Sequence, residues 1–264
     1  MTLSHQIAGT TMQLAICQLN DGQTVYSEAG KFLWKTVNVS METRLTKPNQ
    51  DGGGGAGGLF AKAMDVGKRA LAGESLALQY FRSTGGEGVV SFAGVIPGEM
   101  RALELDGTRG WYAEKDAFVA AETTVDLDIA FTGLRSGVRG GEGFILEKFT
   151  GRGTVLIAGA GNFIELNPAD YGGKIQVDTG CVVAFEDSIR YGVERIGGLN
   201  AQTLMSGIFG GEGLSLATLE GDGEVILQSM TMEGLSTAIL KNAGEGKGTS
   251  NGRGGLSGIL NSLD

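Results

Sequence analysis

Apolar residues in this 264-residue chain come in short alternating runs separated by glycine pairs. Val89-Val90-Ser91-Phe92-Ala93, Thr154-Val155-Leu156-Ile157-Ala158 and Glu224-Val225-Ile226-Leu227-Gln228 are β-rich and glycine-bounded, and each predicts a strand. The joins before the last two, Phe149-Thr150-Gly151-Arg152-Gly153 and Leu219-Glu220-Gly221-Asp222-Gly223, read as hairpin turns in which glycine supplies positive φ. The join before Val89 is about three residues longer.

Two phrases recur three times. An acid, a turn and an apolar run appear as Glu28-Ala29-Gly30-Lys31-Phe32-Leu33, Glu114-Lys115-Asp116-Ala117-Phe118-Val119 and Asp178-Thr179-Gly180-Cys181-Val182-Val183. A Gly-Glu turn leading into a strand appears as Gly73-Glu74-Ser75-Leu76, Gly141-Glu142-Gly143-Phe144 and Gly211-Glu212-Gly213-Leu214. Glu74 to Glu142 is 68 positions and Glu142 to Glu212 is 70. Self-similarity at a near-constant period means one supersecondary unit copied and stacked. The expected fold is therefore all-β, with three repeats at 1–98, 99–168 and 169–232, and a flexible tail at 233–264.

The first repeat carries an insertion. It contains the glycine-rich stretch 52–58 and then a helical spacing of Leu59, Phe60, Ala63, Met64 and Leu71, with Lys62, Asp65, Lys68 and Arg69 elsewhere on the turn. A short helix is expected there. Residues 241–255 are rich in Gly, Ser and Lys and read as a tether. Beyond it, Leu256, Ile259, Leu260 and Leu263 suggest a turn or two of apolar helix.

Glycine accounts for 47 residues, about 18% against a usual value near 7%, and this suits a chain of many tight turns. A net charge of −9 opposes phosphate backbones and anionic lipid on average. Cys17 and Cys181 sit in apolar contexts and read as reduced, mostly buried thiols. No presequence pattern opens the chain and no apolar stretch reaches bilayer length. A cytoplasmic protein, with contact at a membrane surface as an option, is expected.

Several motifs together resemble a known family. They include Phe92-Ala93-Gly94-Val95-Ile96-Pro97-Gly98-Glu99, Gly140-Gly141-Glu142-Gly143-Phe144, Arg195-Ile196-Gly197-Gly198-Leu199 and Phe209-Gly210-Gly211-Glu212-Gly213-Leu214. From about residue 10 to 230 their order resembles the altered-inheritance-of-mitochondria family named after its yeast member number 24. The resemblance implies three β-sandwich repeats around a pseudo-threefold axis, with a fold like the tryptophan RNA-binding attenuation protein. It implies no settled activity and no catalytic residues. The yeast namesake's tie to mitochondrial membrane architecture hints at scaffolding.

Candidate chemistry is sparse. Asp178-Thr179-Gly180 spells an aspartic-protease triplet, but its repeat counterparts make it a turn. The glycine-rich stretch lacks the Gly-Lys-Ser/Thr ending of a phosphate loop. His5 is the sole histidine and no Cys-x-x-Cys occurs, which starves zinc and triad chemistry. Glu74, Glu142 and Glu212 could point three carboxylates at one axis, where they would bind a cation, or could accept N–H bonds beside glycine turns. The turns lack the repeated basic and aromatic residues of an RNA-binding ring, so nucleic acid is disfavoured.

The expected function is a non-catalytic, self-associating β scaffold with protein partners and no cofactor or metal. Docking through Leu59, Phe60, Lys62, Met64, Lys68, Arg69 and the Leu256–Leu263 turn, to protein or to a membrane surface, is the candidate interaction. The alternative is a ligand-binding module, for a small molecule or RNA, using crevices between repeats. The sequence names neither partner nor ligand.

Overall fold

The computed structural model describes residues 2–44, 77–131, 145–195 and 215–245. The candidate helix and docking residues at 59–71, the carboxylates Glu74, Glu142 and Glu212, and the 256–263 segment lie outside the described residues. By internal contacts the chain divides into two units, residues 1–230 and 231–264.

Among the described residues the first unit is all-β apart from short 3-10 turns. In chain order it opens with β1 (Ser4–Ala8), β2 (Leu14–Leu19), β3 (Thr24–Glu28), β4 (Phe32–Lys35), β5 (Val39–Arg44), β6 (Leu78–Ser83) and β7 (Gly88–Ala93). There follow β8 (Met100–Asp106), β9 (Trp111–Glu114), β10 (Phe118–Glu122), β11 (Val125–Phe131) and the long β12 (Ile145–Ala158). The last set is β13 (Phe163–Leu166), β14 (Lys174–Asp178), β15 (Val182–Glu186), β16 (Arg190–Arg195), β17 (Ser215–Glu220) and β18 (Val225–Gln228). Alternation sets which face is buried. In β11, Val125 and Leu127 are buried while Asp126 and Asp128 face out, the period of two that a half-buried strand requires.

Every named strand pairing is antiparallel, and the same order of partners recurs. β4, β10 and β15 pair β7, β12 and β18, each with one register shift, between Phe32 and Trp34, Phe118 and Ala120, and Val182 and Ala184. β2, β8 and β13 lie on the other side of those partners. A second family of sheets runs β3–β6–β5, β9–β12–β11 and β14–β17–β16. β10 also adds to β3, and β15 adds to β9, so most strands fuse into an eleven-stranded sheet.

The glycine joins differ from the expected hairpins. β17 and β18 belong to different sheets, and β12 is one strand whose first half pairs β9 and β11 while its second half pairs β8 and β10. The joins are corners where the chain changes sheet. Gly151 (φ 102°), Gly153 (φ 145°) and Gly221 (φ 139°) adopt backbone that other residues rarely reach. A side-chain acceptor pins each corner: Thr36 Oγ1 accepts from Val89 N–H (3.0 Å), Glu122 Oε2 from Thr154 N–H (2.8 Å) and Glu186 Oε2 from Glu224 N–H (3.2 Å). A Cβ on Gly153 would sit 2.8 Å from Glu122 Oε2. Gly153→Ala is therefore expected to lower stability by about 1–3 kcal/mol in a urea melt, from strained φ and overpacking together; an unchanged midpoint would refute the corner geometry.

Three cores fill the spaces between sheets. Phe81 and Phe92 anchor the first, Phe118 and Phe149 the second, and Phe185 with Leu219 the third. Cys17 is buried and Cys181 half-buried, and both are free thiols. Burial, with the Glu122 carboxylate adding to it, pushes the Cys17 thiol up to about 12.

The second unit corrects the expected tail over part of its length. Residues Met232–Glu245 form an α-helix, α1, where 233–245 had read as flexible. Thr231 caps it: its Oγ1 accepts from Gly234 N–H (3.0 Å) and its carbonyl from Leu235 N–H (3.0 Å). Gly234 and Gly244 blur the periodic pattern that would have announced the helix.

Candidate functional site

Three acids end three strands. Glu28 closes β3, Glu114 closes β9 and Asp178 closes β14. Each is followed by a tight turn into the next strand. Glu114 Oε2 accepts from Asp116 N–H (2.8 Å) and Asp178 Oδ1 from Gly180 N–H (2.9 Å), which caps the 3-10 turns Lys115–Ala117 and Thr179–Cys181. The Lys31 amide donates to the Glu28 carbonyl at 3.5 Å. The protease-like triplet is thus a capped turn in this structure, its Asp178 carboxylate holding a backbone N–H.

Pairing of β10 with β3 sets the first two turns side by side. Lys31 is buried, yet its Nζ donates to the Asp116 carbonyl (2.9 Å) and lies 3.8 Å from Glu28 Oε2. A buried ammonium needs such partners. Burial pushes the Glu114 carboxyl up to about 8, and the Asp116 carboxylate adds to this; the Asp116 N–H and Lys115 oppose it, and Glu28 raises it a little further. Glu114 is thus a proton-holding group at neutral pH. Such a group can do acid–base work where a substrate reaches it. The hydrogen bond described for it goes to its own turn, so its proton bears on the turn's stability.

A second polar site lies where β15 pairs β9. A cleft of about 430 Å³ is lined by Arg109, Glu165, Leu166, Asn167, Glu186, Asp222, Gly223 and Glu224. Arg101 on β8 reaches both Glu165 (2.6 Å) and Glu224 (2.5 Å), and Arg109 reaches Glu186 (3.2 Å). Asn167 ties the rim, donating to Asp222 Oδ1 (2.8 Å) and accepting from Gly223 N–H (3.2 Å). The lining is acidic on balance, which favours a cationic occupant over a phosphate. Among the described residues, no group of three or more His, Cys, Asp or Glu is placed to hold a metal ion.

None of the sequence-predicted interaction residues or the candidate axial carboxylates falls within the described residues. Sequence reasoning found the turn acids but missed the raised Glu114 carboxyl, because burial arises only in the folded chain. It missed the cleft entirely. Arg101, Arg109, Glu165, Glu186 and Glu224 come from separate strands or connections, and no spacing in the chain links them.

An uncharacterised protein of Streptococcus pyogenes serotype M6 is 28% identical over 216 residues, covering 81% of this chain and 80% of the relative. A crystal structure of a Streptococcus pyogenes protein superposes with a TM-score of 0.68 at 24% identity, covering 91% of this chain and 99% of that one, and so shares its fold. The family model described as mitochondrial biogenesis AIM24 matches residues 5–230, the whole β body with its three acid-ended turns, and the chain belongs to that family.

Proposed function

We propose that the protein is a non-catalytic, self-associating β scaffold built from three β-sandwich units around a pseudo-threefold axis. The recurrence of strand partners, register shifts and corner acceptors supports the threefold plan. Glu28, Glu114 and Asp178 take the same place in that plan, each the last residue of its strand. The observation that carries the scaffold reading is the exposed apolar surface around edge strand β4. Leu33 is 49% exposed, Trp34 41% and Val37 99%. A short edge strand and the residues just beyond it seldom show such side chains to water unless a partner covers them. The family's description names mitochondrial biogenesis, which accords with a part in a larger assembly. No helix among the described residues is long and apolar enough to cross a membrane.

Light scattering on the full chain across a concentration series tests the reading. A mass above that of one 27.3 kDa chain, falling on dilution, is expected. A single-chain mass up to tens of micromolar would overturn it. The acidic cleft favours a second reading, a module that binds a small cationic ligand between repeats. Glu186→Gln should then weaken binding of spermidine in calorimetry.

A further inference from the structure

Two joins inside the chain follow one rule. β10 adds to β3 with Ala120 opposite Ser27, Ala121 opposite Tyr26 and Glu122 opposite Val25. β15 adds to β9 with Ala184 opposite Ala113, Phe185 opposite Tyr112 and Glu186 opposite Trp111. In both, the receiving strand ends in an acid. In both, the added strand follows an acid-headed turn and carries a register shift against its other neighbour.

β14 and β4 bear the same marks. β14 ends in Asp178, and β4 follows the Glu28 turn and shifts register between Phe32 and Trp34. Yet each is the last strand of its sheet: β4 ends the four-stranded sheet and β14 ends the three-stranded one, among the described residues. The chain thus carries one donor edge and one acceptor edge of a type it has already used twice.

We propose that β4 of one copy adds to β14 of a second copy of this chain. This rests on the scaffold reading and names its contact. The internal joins set the register. Trp34 stands where Ala120 and Ala184 stand, as the second residue of its shift, and Val177 stands where Ser27 and Ala113 stand, just before the acid. Trp34 therefore lies opposite Val177, Lys35 opposite Gln176 and Thr36 opposite Ile175. At the third junction the residue in that place is Trp34 rather than an alanine, and β4 and β14 are not paired with each other among the described residues. Ala120 and Ala184 are fully buried in their joins, and a tryptophan does not fit the space of a methyl group in a fixed three-unit frame. A separate copy is free of that frame. Lys35 faces Gln176, an exposed polar side chain whose amide donates to the Glu194 carboxylate (2.8 Å). Ile175 and Val177 on β14 are half-buried and gain cover from Trp34. Because the donor and acceptor edges differ, the contact is head-to-tail and builds rings or open chains rather than closed two-fold pairs.

The test uses the full-length chain with Cys181→Ser as background, leaving only the buried Cys17. Lys35→Cys and Gln176→Cys are made singly and together, then oxidised gently. Directly opposed strand residues come close enough for a disulfide. Mixing the two single variants should give a dimer band that neither gives alone, and the double variant should give a ladder of multiples. A double variant that oxidises only within one chain, or mixed singles that stay uncoupled, would overturn the contact. Gln176→Lys, which sets a like charge opposite Lys35 on the exposed side of the acceptor edge, gives an independent reading. Its association should weaken roughly tenfold or more while its melting temperature stays close to that of the parent. Unchanged association would count against the proposal. If the parent chain is multimeric but no cross-link forms, this contact fails and the scaffold reading survives; if the parent is a monomer, both fail.

Discussion

Phe149→Ala is expected to cost about 3–5 kcal/mol, the loss usual for emptying a fully buried aromatic site. Phe149 is 0% exposed on the first half of β12, opposite Trp111 of β9 and Leu127 of β11. Its ring lies 5.2 Å from that of Phe118, which in turn lies 5.7 Å from Tyr26 on β3. Tyr26 closes the circuit by donating its hydroxyl to the Val125 carbonyl (3.1 Å). The ring therefore supports the join between β3 and β10 as well as its own sandwich. Thermal unfolding should start about ten degrees lower, and urea titration should show one lowered midpoint. A loss below about 1 kcal/mol would mean that the second core does not depend on this ring.

Glu114→Gln is expected to leave stability unchanged near pH 4.5 and to raise it by on the order of a few kcal/mol at pH 9. The sign follows from the carboxyl being raised, from 4.5 to about 8. Between those values the folded state holds a proton that the unfolded chain releases, so the natural protein loses stability as pH rises through that window. Above about 8 the side chain is ionised in both states, and the fold bears the full penalty of a partly buried charge beside Asp116. Glutamine stays neutral throughout and keeps an oxygen for the Asp116 N–H. Urea melts of both proteins at pH 4.5, 7 and 9 decide it: parallel stability profiles would show that Glu114 is not the group that titrates.

The strands and the tripled phrases were legible because alternation and glycine turns are local signals. Val125-Asp126-Leu127-Asp128 can be read as a half-buried strand from four residues alone. The glycine corners were legible as turns but not as crossings between sheets. Gly151 and Gly221 state that the backbone must bend; which strand the next residues will pair with depends on partners dozens of positions away. The helix α1 escaped because Gly234, in its first turn, and Gly244, in its last, break up the apolar stripe. The Glu114 segment was legible as a turn, but not as a raised carboxyl, since burial, the largest cause, arises only once the strands have packed. The cleft between β9, β15, β18 and β13 had no linear signature at all.

The docking of β10 on β3 also has a bearing on synthesis. Ser27 waits for Ala120, which lies 93 positions further along, and Ala113 waits for Ala184, 71 positions on. At 5–20 residues per second a ribosome leaves the β3 edge uncovered for about 5–20 s, and then exposes β9 in the same way. The nascent chain thus always presents one open acceptor edge, handed forward from β3 to β9 to β14. Neighbouring ribosomes on one message hold several such edges close together, so growing chains meet as potential partners before any of them is released.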